Sequence, residues 1–456
     1  MEMGLLTFKL GGVHPNPHKE TSSMPIEDMP VPGELAILLS QHIGVPCEPV
    51  VKKGDVVRAG QVVGEVRQGL GVSVHAPCAG KVVAIGQAGH PVKVSVPAVI
   101  LDTRTRPEGA SSDEVMAGEC AQSHEDWRAM TREEMVSRIR EAGVVGAGGA
   151  GFPTHVKLSP PSGMVITELL VNGAECEPYL TADHRVMVEC AADVVEGIAM
   201  MMKILGISHA IVGIEDNKPD AVEAMRRAVD DAALDGGQID VIALKTKYPQ
   251  GSEKQLIYAL TGRKVASGAL PASVGVVVQN VSTVLAVAQA IETRQPMVRR
   301  VVTVSGSGIR RQGNFRIAVG TRLRDIIDFL GGTTPDVKKI IIGGPMMGFA
   351  TSDLDTPVTK TTSGIVFLSS REVDRHQGSA CIRCGRCLDA CPMGLESMMV
   401  ALYVEAGRGK ETTPFGVMDC FECGSCAFVC PAHRPLVQLI RLAKQAVRSS
   451  GAGLRK

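Results

Sequence analysis

The rhythm of apolar and polar positions changes several times along the chain. From residue 45 to 101, short β-branched runs are cut by glycine turns, as in VVKKGDVVRAGQVVGEV and VSVHAPCAGKVVAIG. Gly54-Asp55, Gly60, Gly64 and Gly80 bound strands of four to six residues, which predicts a small all-β barrel or sandwich. Residues 104–126, RTRPEGASSDEVMAGECAQSHED, are polar and rich in Ser, Glu and Gly, and read as a linker. At Trp127 a helical period begins, with Thr131 and Glu134 spaced as a capping box ahead of a helix over Arg132–Glu141. From there to about 295, apolar runs (ELLVNGAE, HAIVGIED, VVVQN) alternate with helical patterns such as KPDAVEAMRRAVDDAAL. That alternation predicts an α/β unit with a largely parallel sheet. Between 299 and 350, RRVVTVSG, NFRIAVG and KKIIIGGP read as strands and TRLRDIIDFLGG as a helix with its glycine stop, a compact α+β unit.

The expected organisation is therefore multidomain, α/β and α+β. It comprises an N-terminal segment 1–104 with a barrel core at 30–104, a linker 105–126 and an α/β domain 127–295. An α+β domain 296–350, a connector 351–372 and a cysteine-rich helical module 373–456 follow. The barrel is similar to the lipoyl/biotinyl type. It has no hairpin lysine beside a methionine to carry such a cofactor, so a structural or docking role is expected of it.

Composition narrows the field. The chain has 456 residues, 45% of them apolar, and 48 basic against 48 acidic side chains. Neither that balance nor an aromatic content of 3% suits nucleic-acid binding, which needs a basic field and stacking surfaces. The first residues lack the layout of a secretory signal. The most apolar window, Val274–Ile291, is interrupted by Gln279, Asn280, Ser282 and Thr283, so no membrane span is expected.

Eight of thirteen cysteines fall in two runs, CIRCGRCLDACP (Cys381–Pro392) and CFECGSCAFVCP (Cys420–Pro431). The spacing x2, x2, x3 followed by proline is that of a bacterial two-cluster ferredoxin, in which the fourth cysteine of each run ligates the other cluster. The expected sets are Cys381, Cys384, Cys387 and Cys430 for one [4Fe–4S] cluster, and Cys420, Cys423, Cys426 and Cys391 for the second. Zinc is the alternative, but it favours paired CxxC without the x3-Cys-Pro ending. The remaining cysteines (47, 78, 120, 176 and 190) are scattered and read as small buried apolar residues. Arg383 and Arg386, between ligands, read as solvated charge, or as groups that raise the cluster potential or guide an acidic partner. His14 and His18 in GGVHPNPH read as turn residues.

GVVGAGGAGFPTHVK (Gly143–Lys157) is the second chemical signal. So many glycines suit a backbone that must approach a ligand or take positive φ. The loop follows a helix and lacks GK[ST], so it is neither a Rossmann fingerprint nor a P-loop. His155, within it, reads as capping the turn or as tuning a bound cofactor. Polar groups end several apolar runs: Glu175 and Glu177 in NGAECEP, Glu253 in YPQGSEKQL, and Gln279, Asn280 and Thr283 in VQNVST. Beside a glycine loop, they suit a cofactor with a phosphate and a polar ring edge.

GAGGAGFPTHVK, LLVNGAECEP, YPQGSEKQL, QNVST and GTRLRDIIDFLGG…IIIGGPMMG, in that order, resemble the NADH-binding flavoprotein subunit of respiratory complex I. With a barrel bearing GGVHP ahead and two cluster motifs behind, the chain resembles the C subunits of Rnf-type electron-transport complexes. The resemblance implies FMN and NAD(H) in the α/β domain and an SLBB, β-grasp-like unit after it. It also implies membrane-embedded and peripheral partner subunits, with ferredoxin reached indirectly, and a peripheral place on the cytoplasmic face of the membrane. By motif, Gly146, Gly148, Gly149 and Gly151 would let backbone amides approach flavin and dinucleotide, and Phe152 would line the dinucleotide pocket. Lys157 would face a flavin polar edge or phosphate, and Asn172 the isoalloxazine or ribityl chain. Glu175 and Glu177 would lie near flavin and NADH, Glu253 on the NADH side, and Asn280 and Thr283 at the FMN phosphate end. Ala174 departs from the complex I pattern, which has an acidic residue there.

A nicotinamide gives up two electrons as hydride and an iron–sulfur cluster takes one, so a flavin between them completes a redox sequence without an acid–base residue. The alternative within flavoproteins is a soluble cobalamin reductase of propanediol-utilisation type, against which the N-terminal barrel argues. A third reading, of another class, is a non-enzymatic electron carrier or scaffold.

Overall fold

The computed structural model describes residues 5–105, 125–232, 234 and 236–450. Of the predicted linker, residues 106–124 lie outside them, as does Cys120.

The glycine-punctuated runs form a barrel sandwich. One antiparallel sheet orders Glu34–Leu38, Ser95–Asp102, Gly80–Gly89 and Val56–Val57; the other orders Glu48–Pro49, Val62–Glu65 and Val74–His75. Alternate residues (Leu35, Ile37, Val57, Val63, Val74, Val82, Val99 and Leu101) fill the space between them, as a period of two requires.

The α/β unit is a four-stranded parallel sheet in the order Gln238–Leu244, His209–Glu215, Glu168–Gly173, Val276–Asn280. Leu169 and Val171 join Ile198, Val284 and Met135 in a core beneath the helices Ala191–Leu205, Val281–Glu292 and Arg132–Glu141. Leu170 faces the other way, against Leu256 and Ile257 of Glu253–Thr261. Burial on both faces explains the continuous apolar runs that mark these strands. The capping box at Thr131 and Glu134 is present: the Glu134 amide donates to Thr131 Oγ1 (3.2 Å) and the Thr131 amide to Glu134 Oε2 (2.7 Å).

One expected boundary is corrected. The span 351–372, expected to be a connector, contains the fully buried strand Gly364–Ser369, which lies inside a six-stranded sheet. That sheet orders Ile26–Asp28, Gly313–Ala318, Arg299–Ser305, Gly364–Ser369, Val337–Ile342 and Phe349–Thr351, under the helix Leu323–Phe329. A short apolar run beside a Thr-rich stretch carries no period long enough to mark a strand, and only pairing with Arg299–Ser305 on one side and Val337–Ile342 on the other settles it. The segment ahead of the barrel core, residues before 30, pairs with other units. Ile26–Asp28 pairs with Gly313–Ala318, and residues 6–19 form a strap across other units. The Lys245 amide donates to Leu6 O (3.0 Å), Val13 and Tyr248 exchange two backbone bonds (2.8 and 3.0 Å), and the Gly12 amide donates to Ala390 O (3.0 Å).

The C-terminal module packs the helices Ser397–Glu405 and Leu436–Ser449 through Val400, Ala401, Leu436, Ile440, Ala443 and Val447. Among the described residues, no helix is long and apolar enough to cross a membrane.

Candidate redox site

Strand order decides where a ligand can sit. The chain adds His209–Glu215 and Gln238–Leu244 on one side of Glu168–Gly173, then returns to place Val276–Asn280 on the other. The carboxyl ends of the two strands flanking that reversal form the crevice in which open parallel sheets bind ligands. Asn172 and Asn280 stand at these strand ends as register partners. The glycine loop reaches the same point: a Cβ on Gly148 would lie 3.2 Å from Asn280 Cβ, and the Ala147 amide donates to Thr283 Oγ1 (2.9 Å). Gly148, Gly149 and Ala150 are exposed. Gly149 has φ +140° and Gly151 φ +66°, angles that side chains other than glycine rarely take. Among the described residues, the amides of 148–151 donate no hydrogen bond. The Gly146 amide and the Phe152 carbonyl close the loop (2.9 Å).

Around the crevice, Asn172 Nδ2 donates to Gly251 O (2.8 Å) and its Oδ1 accepts from the Ala174 amide (3.2 Å). Asn280 Nδ2 donates to Asp183 Oδ2 (2.6 Å), while its Oδ1 caps the helix Val281–Glu292 through the Ser282 amide (3.0 Å). Lys157 and Glu253 form an ion pair of 2.6 Å, half-exposed on both sides. This structure therefore brings Gly146–Phe152, Asn172, Asn280 and Thr283 together, with Lys157 and Glu253 paired to each other.

Glu175 and Glu177 are held differently. Glu175 accepts the amides of Asp183 (2.8 Å) and His184 (3.0 Å). Glu177 accepts those of Met346 (3.0 Å) and Met347 (2.8 Å), which binds the α/β unit to the β-grasp sheet. Burial pushes both carboxyls up to about 7, against the pull of Lys19 and these amides. Cys176, between them, is half-buried and accepts the Gly251 amide (3.3 Å), so it is more than an apolar filler. Cys190 is likewise half-buried, while Cys47 and Cys78 are buried. His155 caps nothing: it lies inside the short helix Thr154–Lys157, its Nδ1 buried without a partner among the described residues. His18 has φ +45° and stacks on Tyr179 at 4.4 Å.

The two cysteine runs fold into two cavities. Cys381, Cys384, Cys387 and Cys430 line one, with Ile382, Met398 and Leu436. Cys391, Cys420, Cys423 and Cys426 line the other, with Leu395, Ser397 and Ile440. In each run the second residue between the first two cysteines takes positive φ (Arg383 +56°, Glu422 +65°). Its amide then points at the preceding thiol, Cys381 Sγ at 3.4 Å and Cys420 Sγ at 3.3 Å. Four thiols in an apolar cavity, with amides aimed at sulfur, fit a cubane cluster. The Ser397 hydroxyl, 3% exposed, adds a donor between Cys387 of the first cavity and Cys426 of the second. The open amides of 148–151 beside a switch point likewise fit a phosphate-bearing flavin.

The second cavity lies against the α/β unit. Tyr248 Oη donates to Cys423 O (2.7 Å), and Gln255 Nε2 to Pro392 O (3.2 Å). A Cβ on Gly11 (φ +61°) would stand 2.5 Å from the Cys391 backbone, so only glycine lets the strap pass there. Motif reasoning does not reveal Tyr248, the strap or the three lysines Lys19, Lys218 and Lys360. Tyr248, Lys19 and Lys360 are single polar positions whose partners are carbonyls far away in sequence, and Lys218 reaches Ala174 O as well as its neighbours Glu215 and Asn217.

Comparison with known proteins agrees with this order of units. The RnfC barrel sandwich hybrid domain matches residues 6–106, the Nuo51 FMN-binding domain 139–289, the SLBB domain 301–350 and the 4Fe-4S dicluster domain 380–433. The C subunit of the proton-translocating ferredoxin:NAD(+) oxidoreductase complex of Clostridium ljungdahlii is 46% identical over 443 residues, 97% of this chain and 94% of that protein. The C subunit of the Na(+)-translocating ferredoxin:NAD(+) oxidoreductase complex of Acetobacterium woodii is 41% identical, covering 97% of each. The C subunit of the ion-translocating oxidoreductase complex of Rhodobacter capsulatus is 41% identical over 95% of this chain and 82% of its own. With barrel, flavin-type crevice, SLBB unit and dicluster module in one chain, this protein belongs to the family of C subunits of Rnf-type ion-translocating oxidoreductases.

Proposed function

We propose that this chain is the NAD(H)-handling subunit of an ion-translocating ferredoxin:NAD+ oxidoreductase complex. The observation that carries the reading is structural continuity. A sheet switch point with an open amide loop is joined, through Tyr248 and the N-terminal strap, to the second of two four-cysteine cavities. FMN in the crevice would supply the chemistry the protein lacks, exchanging hydride with NAD(H) and single electrons with the clusters.

The chain's own residues bind and orient. The amides of Gly148–Gly151, with Gly146 shaping the turn, would take phosphate oxygens. Thr283 holds that loop to the helix Val281–Glu292, and Asn280 caps the same helix beside Gly148. Asn172 would present its amide to the flavin, Phe152 would wall the dinucleotide side, and the Lys157–Glu253 pair would border it. Glu175 and Glu177 lock the loop carrying them and act on the ligands through its shape. Cys420, Cys423, Cys426 and Cys391 would hold the cluster nearer the crevice. Cys381, Cys384, Cys387 and Cys430 would hold the one at the surface, where Cys384 is exposed and Ile382 is 66% exposed. Partner subunits of the complex would meet that outer edge, and the chain would lie peripherally at the cytoplasmic face of the membrane.

Isolation from membranes under anaerobic conditions tests the whole reading. Copurification with other subunits is expected, with FMN and about eight irons per chain from two four-iron clusters, and NADH-dependent dye reduction. A colourless chain, or a cluster-loaded one that neither binds FMN nor oxidises NADH, would overturn it.

A further inference from the structure

Lys360 lies in the turn leading into the strand Gly364–Ser369, yet its side chain leaves that unit. It is 1% exposed. The ammonium donates to Ser73 O of the barrel (2.9 Å) and to Gly143 O at the root of the glycine loop (2.7 Å). Its own backbone amide donates to Gln41 Oε1 of the barrel (3.0 Å), and Gln41 Nε2 returns to Leu38 O (2.9 Å). The far end of the glycine loop is gripped by the same elements. The Ile43 amide donates to Gly151 O (3.1 Å), and a Cβ on Gly151 would meet Thr361 Cγ2 at 2.9 Å and Gln41 O at 3.2 Å.

Burying an ammonium against neutral carbonyls costs more than burying an apolar chain of the same length. Burial lowers the Lys360 pKa to about 8. The core of a barrel does not require this: Leu35, Val63 and Val99 already close it. What the charge joins is the barrel, the β-grasp connection and the root of the loop. Lys19 makes a parallel arrangement at the turn that follows the crevice strand Glu168–Gly173. From the N-terminal strap it donates to Glu175 O (2.9 Å), Glu177 O (2.9 Å) and Leu180 O (2.5 Å), closing the 175–180 turn around one ammonium.

We propose that Lys360 and Lys19 are positioning residues for the flavin and dinucleotide site, and that the barrel and N-terminal strap are working parts of that site. The inference rests on the functional reading above. The barrel then holds Gly143 and Gly151 at a fixed separation, so that the amides between them stay aligned and open. Neither lysine touches the reacting atoms; each acts through a backbone loop.

The test uses the full chain with reconstituted clusters, and begins with FMN affinity and NADH KM of the unaltered protein. Absence of FMN binding there would count against the functional reading itself. Lys360→Met keeps the stem and removes the charge, leaving two buried carbonyls unpaired, and should weaken FMN binding about tenfold. It should also raise KM for NADH more than it lowers kcat and shift the midpoint potential of bound flavin, with iron content unchanged. Lys360→Arg should recover part of the affinity. Lys19→Met should act in the same direction on KM. If Lys360→Met fails to fold, Gln41→Leu, which leaves the Lys360 ammonium in place and removes the bond to its amide, is read by the same three quantities. FMN affinity and KM within twofold of the parent, with the flavin potential unchanged, in a folded variant would overturn the proposal.

Discussion

The two cysteine cavities have the same ligand spacing and the same local backbone, yet different surroundings. Cys391, Cys423 and Cys426 are all under 10% exposed, and the Cys423 carbonyl is tied to Tyr248 of the α/β unit. The other cavity opens outward at Cys384 and Ile382, beside the exposed Arg383. Identical sequence chemistry has thus been placed once at an internal junction and once at a rim. Tertiary packing, rather than the motif, gives each copy its place along an electron path.

The largest test of that contrast is ligand exchange. Cys391→Ser should cost about four of about eight irons and remove the signal of the inner cluster, although Cys391 belongs to the outer cluster's sequence run. Cys430→Ser should remove the outer signal instead. Electron paramagnetic resonance of the reduced variants decides, and loss of the same-run cluster in either would contradict the crossed arrangement. Next, exposure predicts order of loss: a chelator with mild oxidant should strip the outer cluster first, leaving the inner signal at half the iron. Simultaneous loss would erase the distinction between rim and junction.

Tyr248→Phe is a smaller change. It removes the hydroxyl bonded to Cys423 O and should lower stability by about 1 kcal/mol. Inner-cluster loss should quicken while outer-cluster loss stays unchanged, as read by iron release in the chelator experiment. The smallest effect is on pH dependence. Glu175 and Glu177 are raised from an ordinary 4.5 to about 7 in the folded chain. Between those values the folded state holds protons that the unfolded state has released. These groups therefore reduce stability as pH rises from 4.5 to 7. In Glu177→Gln the fall in Tm across that window should be shallower; an unchanged slope would show that other groups govern it.

Much of this is legible in the sequence because it is local. Capping at Thr131 and Glu134, the alternating barrel strands and the parallel-sheet runs each depend on residues within a few positions. The regions that depart from expectation are of another kind. The strand Gly364–Ser369 and the strap through Gly11–Lys19 exist only because distant partners supply their hydrogen bonds. A place in a glycine-rich turn suggests a cap for His155, whereas the chain forms a short helix there with the imidazole tucked inward. Position after a buried strand suggests ligand-facing carboxylates for Glu175 and Glu177, yet each already accepts two backbone amides.

By itself, then, the sequence determined the elements, their order and the donor chemistry: thiols at cluster spacing, glycines where amides must be bare, polar residues at strand ends. Spacing and side-chain type are enough for that, because they act over a turn of helix or a single loop. The tertiary structure alone decided which strands flank the switch point and which cysteine cavity is inner. It also decided that two ammoniums, Lys360 and Lys19, brace the crevice from outside the α/β unit. Those outcomes rest on contacts between residues far apart in the chain, whose energies come from burial and backbone pairing that no local pattern records.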